Sequence, residues 1–215
     1  MSADLSQGEK PMATLVTDPQ LEEELLAQRR AWGGDRHDEV WEGTYVMSPW
    51  PNDEHQEFVS RLVFILETVV GQEGLGRVRP GVNLSDQPDN WTYNYRCPDV
   101  IVFLNDTKAV NHGAFWEGPA DFLVEIVSRR DLTYEKLPFY EGLGVREVLI
   151  IDRDPWKLEL HRHDGARLAL VGRSTAESGE VLASAVVPLQ FRLVPGQARP
   201  RIEVTHPGSG RQWTL

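Results

Sequence analysis

Two near-continuous apolar runs, DVIVFL at Asp99–Leu104 and FLVEIV at Phe122–Val127, constrain this chain more than any other feature. Runs of that kind suit central strands covered on both faces. Each carries a carboxylate that a buried strand disfavours. Asp99 follows Pro98 at the start of the first run, and taken alone it reads as the cap of a strand start. Glu125 lies inside the second, where an uncompensated carboxylate costs several kcal/mol or becomes neutral. A metal ion, an ion pair with Lys136, or an edge position each accounts for Glu125. The metal ion is the preferred reading, with the ion pair next.

Elements on either side of these runs are readable from local chemistry. Residues 1–17 read as a tail. From Asp18 to Trp32 the pattern is helical: Asp18 is a good N-cap, Pro19 suits the first helical position and Gly33-Gly34 stops the helix. His37–Met47 predicts a hairpin turning at Glu42-Gly43. The segment DEHQEFVSRLVFILETVVGQ is strongly amphipathic. Its Phe58, Leu62, Ile65, Leu66 and Val69 recur three and four residues apart, with Asn52 or Asp53 as cap. Gly76–Leu84 predicts one strand bent near Pro80-Gly81. Trp91, Tyr93 and Tyr95 alternate as a short strand or a flap. Asn105–Pro119 is expected as a long exposed loop.

Leu132–Leu143 reads as a helix with Lys136 near its start, and Val148–Asp152 as a further buried strand. Trp156–His161 and Leu168–Val171 form a hairpin about Asp164-Gly165. Weaker strands are expected near Glu180–Leu182 and Ile202–Val204. These elements give a mixed α/β (α+β) chain. Its expected organisation is a tail over 1–17, one domain over 18–194 and an extension over 195–215.

Composition narrows the class. A polar amino terminus and the absence of any run long enough to span a bilayer argue against a signal peptide and a membrane protein. The single Cys97 excludes an internal disulfide and a thiolate zinc cage, and points to a reducing cytoplasm. The net charge of −11 weighs against tight, non-specific binding to DNA, because such affinity rests on neutralised phosphates.

Alternate side chains on a strand share a face, so Glu125 and Val127 point together. A strand that begins at Pro-Asp, followed by one carrying an acid and then a lysine two residues on, is the pattern of the PD-(D/E)XK nuclease superfamily. Pro98-Asp99 matches its first part and Glu125-Ile126-Val127 its second, with valine where the lysine belongs. Lys136, eleven residues after Glu125, supplies an ammonium from the next helix.

This variant resembles the Uma-two-type restriction endonucleases, a bacterial domain family. The resemblance runs from about Glu39 to Val194. It rests on EVWEGTYVMSP with His55 after it, CPDVIVF, DFLVEIVS, EKLPFYEGLGVREVLIID and the hairpin that follows. Where the family continues Glu-x-x-Ser with Pro, this chain has Arg129.

The resemblance implies a restriction-endonuclease-like core: a central mixed sheet flanked by helices, with an added N-terminal helix and a C-terminal hairpin. It implies that Asp99, Glu125 and the carbonyl of Ile126 hold Mg²⁺ (or Mn²⁺). Lys136 would polarise water or steady the phosphate, and Glu39 would hold a second ion or orient water. His55 and Tyr140 are accessory candidates. The implied partners are DNA, bound weakly given the charge, and a second copy in a homodimer. The alternative is an inactive nuclease fold that serves as an interaction or regulatory module.

Other features read as structural. His161 and His163 share a strand face but lack a third ligand, and are expected at the surface. Glu39 and Glu42 are as readily surface charges. Trp91, Tyr93 and Tyr95 suit base stacking, and equally packing or a dimer contact. Gly142-Leu143-Gly144 follows a helix and is its stop, not a phosphate loop.

Overall fold

The structure is a computed structural model that describes residues 14–128 and 132–215. Most of the expected amino-terminal tail, and Arg129, lie outside the described residues. The chain enters on strand β1 (Thr14–Val16) and helix α1 (Pro19–Trp32), whose Asp18 carboxylate accepts from the Gln20 and Leu21 N–H groups. The expected hairpin is β2 (Glu39–Trp41) and β3 (Thr44–Met47). Its turn places Glu42 at φ 49° and Gly43 at φ 82°, the paired positive dihedrals of a two-residue hairpin loop. Asp38 ties α1 to this hairpin. It accepts from Arg29 Nε at 2.5 Å, Arg29 Nη2 at 2.6 Å, the Ser48 N–H at 2.8 Å and the Tyr45 hydroxyl.

Helix α2 (Asp53–Leu66) starts on the Asn52 side chain, which accepts the His55 N–H, and runs on through one π turn, Glu67–Gly71. The strands that follow are β4 (Gly76–Pro80), β5 (Leu84–Ser85), β6 (Tyr95–Arg96), β7 (Val100–Leu104), β8 (Val110–Asn111), β9 (Trp116–Glu117) and β10 (Phe122–Ile126). A 3₁₀ turn, Thr133–Lys136, leads into helix α3 (Leu137–Leu143). Beyond it come β11 (Glu147–Arg153), β12 (Trp156–His163), β13 (Leu168–Ser174), β14 (Leu182–Ala183), β15 (Gln190–Val194), β16 (Arg201–His206) and β17 (Arg211–Thr214).

The central mixed sheet has the order β13-β12-β11-β10-β7-β4. Strands β10 and β11 are parallel, and the other neighbours are antiparallel. Alternation along β10 sends its residues to two cores. Phe122, Val124 and Ile126 join Phe58, Leu62 and Ile65 of α2, with Phe191 and Val204 of the sheet β14-β15-β16-β17. Leu123 faces the other way, with Tyr140, Val145, Val148 and Trp116. A third sheet, β1-β3-β2-β6-β5-β9-β8, lies on that side. Among the described residues no helix is long and apolar enough to cross a membrane.

Five expectations differ from the structure. The bend at Gly81 (φ 53°) puts β4 and β5 in different sheets instead of one bent strand. Trp91–Tyr93 is a 3₁₀ turn, and only Tyr95–Arg96 pairs as a strand. The Asn105–Pro119 loop holds β8 and β9 and buries Phe115 and Trp116. His161 is buried, because its sheet face is covered where it stands between Val148 and Leu170 on the neighbouring strands. The C-terminal region forms a four-stranded sheet, and its β15–β16 pair crosses residue 195.

Candidate active site at a strand fork

Strand β10 pairs with β7 only at Phe122↔Val102, Leu123↔Ile101 and Val124↔Val100. The same register carried further would set Pro98 opposite Ile126, and proline has no N–H for the ladder. The strands therefore part. On its other edge β10 continues beside β11 as far as Ile126↔Ile151. The Ile126 N–H, left without a strand partner, donates instead to Asp99 Oδ2 at 2.7 Å. One residue upstream is Glu125. The fork thus fastens one acid to the backbone beside the other.

Glu125 projects on the Leu123 face and is 3% exposed. Lys136 Nζ lies 3.2 Å from its Oε1 and 3.3 Å from its Oε2, and the buried Tyr140 hydroxyl donates to Oε1. Lys136 also reaches Glu39 Oε1 at 2.9 Å. Glu39 is itself held, since it accepts the Cys97 N–H at 2.9 Å and the Trp41 indole N–H at 2.7 Å. His55 stands in the first turn of α2, with Nε2 3.1 Å from Asp99 Oδ1. Its buried Nδ1 has no partner among the described residues. Asp99, Glu125, Lys136, Glu39, His55 and the Ile126 backbone therefore line one cavity of about 290 Å³, and Tyr140 stands behind Glu125.

Electrostatics follow from burial and sign. Burial, opposed by Lys136 and reinforced by Asp99 and Glu39, pushes the Glu125 carboxyl up to about 8. Burial also acts against the Asp99 carboxylate, but bonds from His55 and the Ile126 N–H hold it below its ordinary range. For Lys136, burial is overridden by Glu125 and Glu39, so the ammonium is held above its usual value. Glu125 and Glu39 thus share one ammonium, and Asp99 adds a through-space charge beside them. The buried Arg96 is near, but it donates to the Val40 and Tyr95 carbonyls and to Asn94, and its guanidinium lies between the Trp41 and Phe139 rings.

This donor set suits a hard divalent cation. No group of three or more His, Cys, Asp or Glu side chains among the described residues is arranged to hold a metal. The Asp99 and Glu125 carboxylates line the cavity together, and Mg²⁺ commonly takes one or two carboxylates and keeps several waters. The excess of negative charge at the fork is what such an ion offsets.

Sequence reasoning missed the partners that hold these groups. Trp41 sits two residues after Glu39 and so on its strand face, a readable signal. Tyr134, two residues before Lys136, donates to Glu159 at 2.8 Å and to Asp152 at 3.3 Å, and so pins the 3₁₀ turn to β11 and β12. The Trp91 and Tyr95 rings pack together, and Trp91 stacks on Phe115, so they serve packing.

Comparison with known proteins adds two findings. The model of the Uma2 family, described as "Putative restriction endonuclease", matches residues 23–195. The fold is similar to a crystal structure described as "a putative nuclease belonging to DUF820" from Anabaena variabilis ATCC 29413. That likeness has a TM-score of 0.55 at 15% identity and covers 68% of this chain and 80% of the other. At that identity the likeness shows the fold alone. No curated protein matches the chain.

Proposed function

Since the chain belongs to the Uma2 family, we propose that it is a divalent-metal-dependent endonuclease that hydrolyses DNA phosphodiester bonds at the β7–β10 fork. The observation that carries this reading is the meeting of Asp99, Glu125 and Lys136 in one cavity, with negative charge in excess. Asp99, Glu125 and the Ile126 carbonyl would hold Mg²⁺ or Mn²⁺. When bound, such an ion offsets phosphate charge and lowers the pKa of its water.

The side chains divide the remaining work. Lys136 stays protonated and stabilises charge developing on the phosphate, a role that suits a fixed ammonium better than proton abstraction. Glu39 fixes Lys136, Tyr140 orients Glu125, and His55 orients Asp99. We treat residues 18–194 as the catalytic domain, with 195–215 adding the last two strands of the four-stranded sheet. A cytoplasmic setting and a homodimer that cuts both strands complete the reading. The buried thiol of Cys97 supports the first.

The test is supercoiled plasmid incubated with the full chain. Nicked and linear forms are expected in Mg²⁺ or Mn²⁺, and none in EDTA. Intact plasmid under every ion would instead favour a non-catalytic module, in which Lys136 and Tyr140 merely neutralise Glu125. That second reading draws on the protein bonds already made to both Glu125 oxygens.

Tyr134→Phe gives a subtler expectation. Losing the bonds to Glu159 and Asp152 loosens the turn that carries Lys136. Misplacement of a reacting group is costly in rate, so kcat should fall about tenfold with KM little changed. Steady-state cleavage kinetics check this. An unchanged kcat would remove Tyr134 from the positioning of Lys136.

A further inference from the structure

Of the aromatic residues that the sequence offered for base stacking, Trp91 and Tyr95 pack on each other and Tyr93 stands exposed without a stacking partner among the described residues; another pair is both exposed and stacked. Trp32, which ends α1, is 54% exposed, and Trp50, in the loop between β3 and α2, is 60% exposed. Their rings stack at 5.7 Å with 22° between planes. The arrangement is pre-set. Pro49 and Pro51 flank Trp50 and restrict its backbone. Gly34 lies so close beneath Trp32 that a Cβ there would meet the six-membered ring at 2.2 Å. The Arg29 guanidinium, anchored by Asp38, stands 5.6 Å from the Trp32 ring centre.

Charge and position indicate the occupant. The chain is acidic overall, yet of Arg29, Arg30 and Arg36 beside the ledge, the first pairs with Asp38 and the second with Asp35, which leaves Arg36 as the cation on offer. Arg36 and His37 are exposed, and Arg36 makes no ion pair with another described residue. A small cavity lined by Gly34, Arg36, His37 and Trp50 shares His37, Ser48, Pro49 and Pro51 with the cavity that holds Asp99. The ledge is therefore continuous with the fork. Two rings are far too little surface for a stable protein interface, which takes about 20–30 residues a side. They are enough for one unstacked base, because stacking on a single aromatic ring is worth roughly tenfold or more in affinity.

We propose that the Trp32–Trp50 ledge binds an unpaired nucleobase of a single-stranded DNA segment, whose adjoining phosphate pairs with Arg36. This rests on the nuclease reading and extends it: the preferred substrate has a single-stranded or frayed stretch beside the scissile phosphate.

The test measures fluorescence anisotropy of a labelled oligothymidylate of about 12 nucleotides, within the span such grooves cover, titrated with the full chain in EDTA. A duplex of the same length is the comparison. The parent should bind the single strand more tightly than the duplex. Trp50→Ala should weaken single-strand binding about tenfold, and Trp50→Phe should restore most of it. Equal affinity of the parent and Trp50→Ala, or no single-strand binding by the parent, would overturn the proposal. So would a parent dimer that Trp50→Ala turns into monomer at unchanged oligonucleotide affinity, since a second copy would then cover the ledge. Because no cleavage occurs in EDTA, the two readings fail separately. Binding through Trp50 without plasmid cleavage would sink the nuclease reading alone, and cleavage with a Trp50-independent affinity would sink the ledge alone.

Discussion

Glu125→Gln is expected to lower metal-supported plasmid cleavage by about 10³-fold or more while leaving the fold intact. The amide keeps the shape of the carboxylate, and its oxygen still accepts the Tyr140 hydroxyl. What it removes is one anionic ligand at a site that, on this account, works only with a bound cation. Thermal stability without metal should match or exceed that of the parent. Glu39 and Glu125 share one ammonium, and burial already favours the neutral form of Glu125, so a neutral amide costs little there. Asp99→Asn should act alike, because its amide oxygen still accepts the Ile126 N–H. Cleavage assays beside melting curves check both halves. A variant that cuts at the parental rate would remove Glu125 from the chemistry. One that fails to fold would make it a structural group.

Lys136→Met should do the opposite to stability. Glu39 and Glu125 are almost wholly buried and both reach this ammonium. Removing one member of a buried ion pair costs about 3–5 kcal/mol, because the partner is left uncompensated. The lower end is expected here, since Glu39 keeps its bonds from Trp41 and the Cys97 N–H. Cleavage by the folded fraction should drop about 10²–10³-fold, the usual cost of deleting one fixed donor to a developing charge. The double variant Lys136→Met/Glu125→Gln separates the effects. Groups in direct contact couple by about 0.5–3 kcal/mol, so the pair should be more stable than the two single changes added together. Simple additivity in denaturant unfolding would mean that Lys136 and Glu125 do not interact.

The acids were legible because each breaks a local rule: a carboxylate within an apolar run needs a reason. Helix α2 was legible for the opposite cause, since Phe58, Leu62 and Ile65 keep strict helical spacing and all are buried. The contact of Lys136 with Glu125 was harder to foresee. With Val127 at the usual lysine position, it depends on a 3₁₀ turn held by Tyr134 to two residues on other strands. No spacing rule encodes that. The 91–95 stretch misled because its alternation arises in a turn whose chain is gathered by Ser85, which donates to the Asn94 carbonyl at 2.8 Å. Strands β8 and β9 have two residues each, too short for any period. Strand β15 had a usable signal: Phe191 and Leu193 alternate with Gln190 and Arg192, and both apolar residues are buried. The ledge of Trp32 and Trp50 was not readable, because the two lie in separate elements brought together by Arg29, which bonds Asp38 and the Ser48 carbonyl, and by the close approach at Gly34.

The central claim is that the fork holds a divalent cation between Asp99 and Glu125. The most direct measurement is anomalous diffraction at the manganese edge from crystals of the full chain soaked in Mn²⁺. The account predicts one strong peak within bonding distance of both carboxylates and the Ile126 carbonyl, absent from Asp99→Asn crystals soaked alike. A fork without a peak, its acids still bonded to Lys136, Tyr140 and His55, would contradict it.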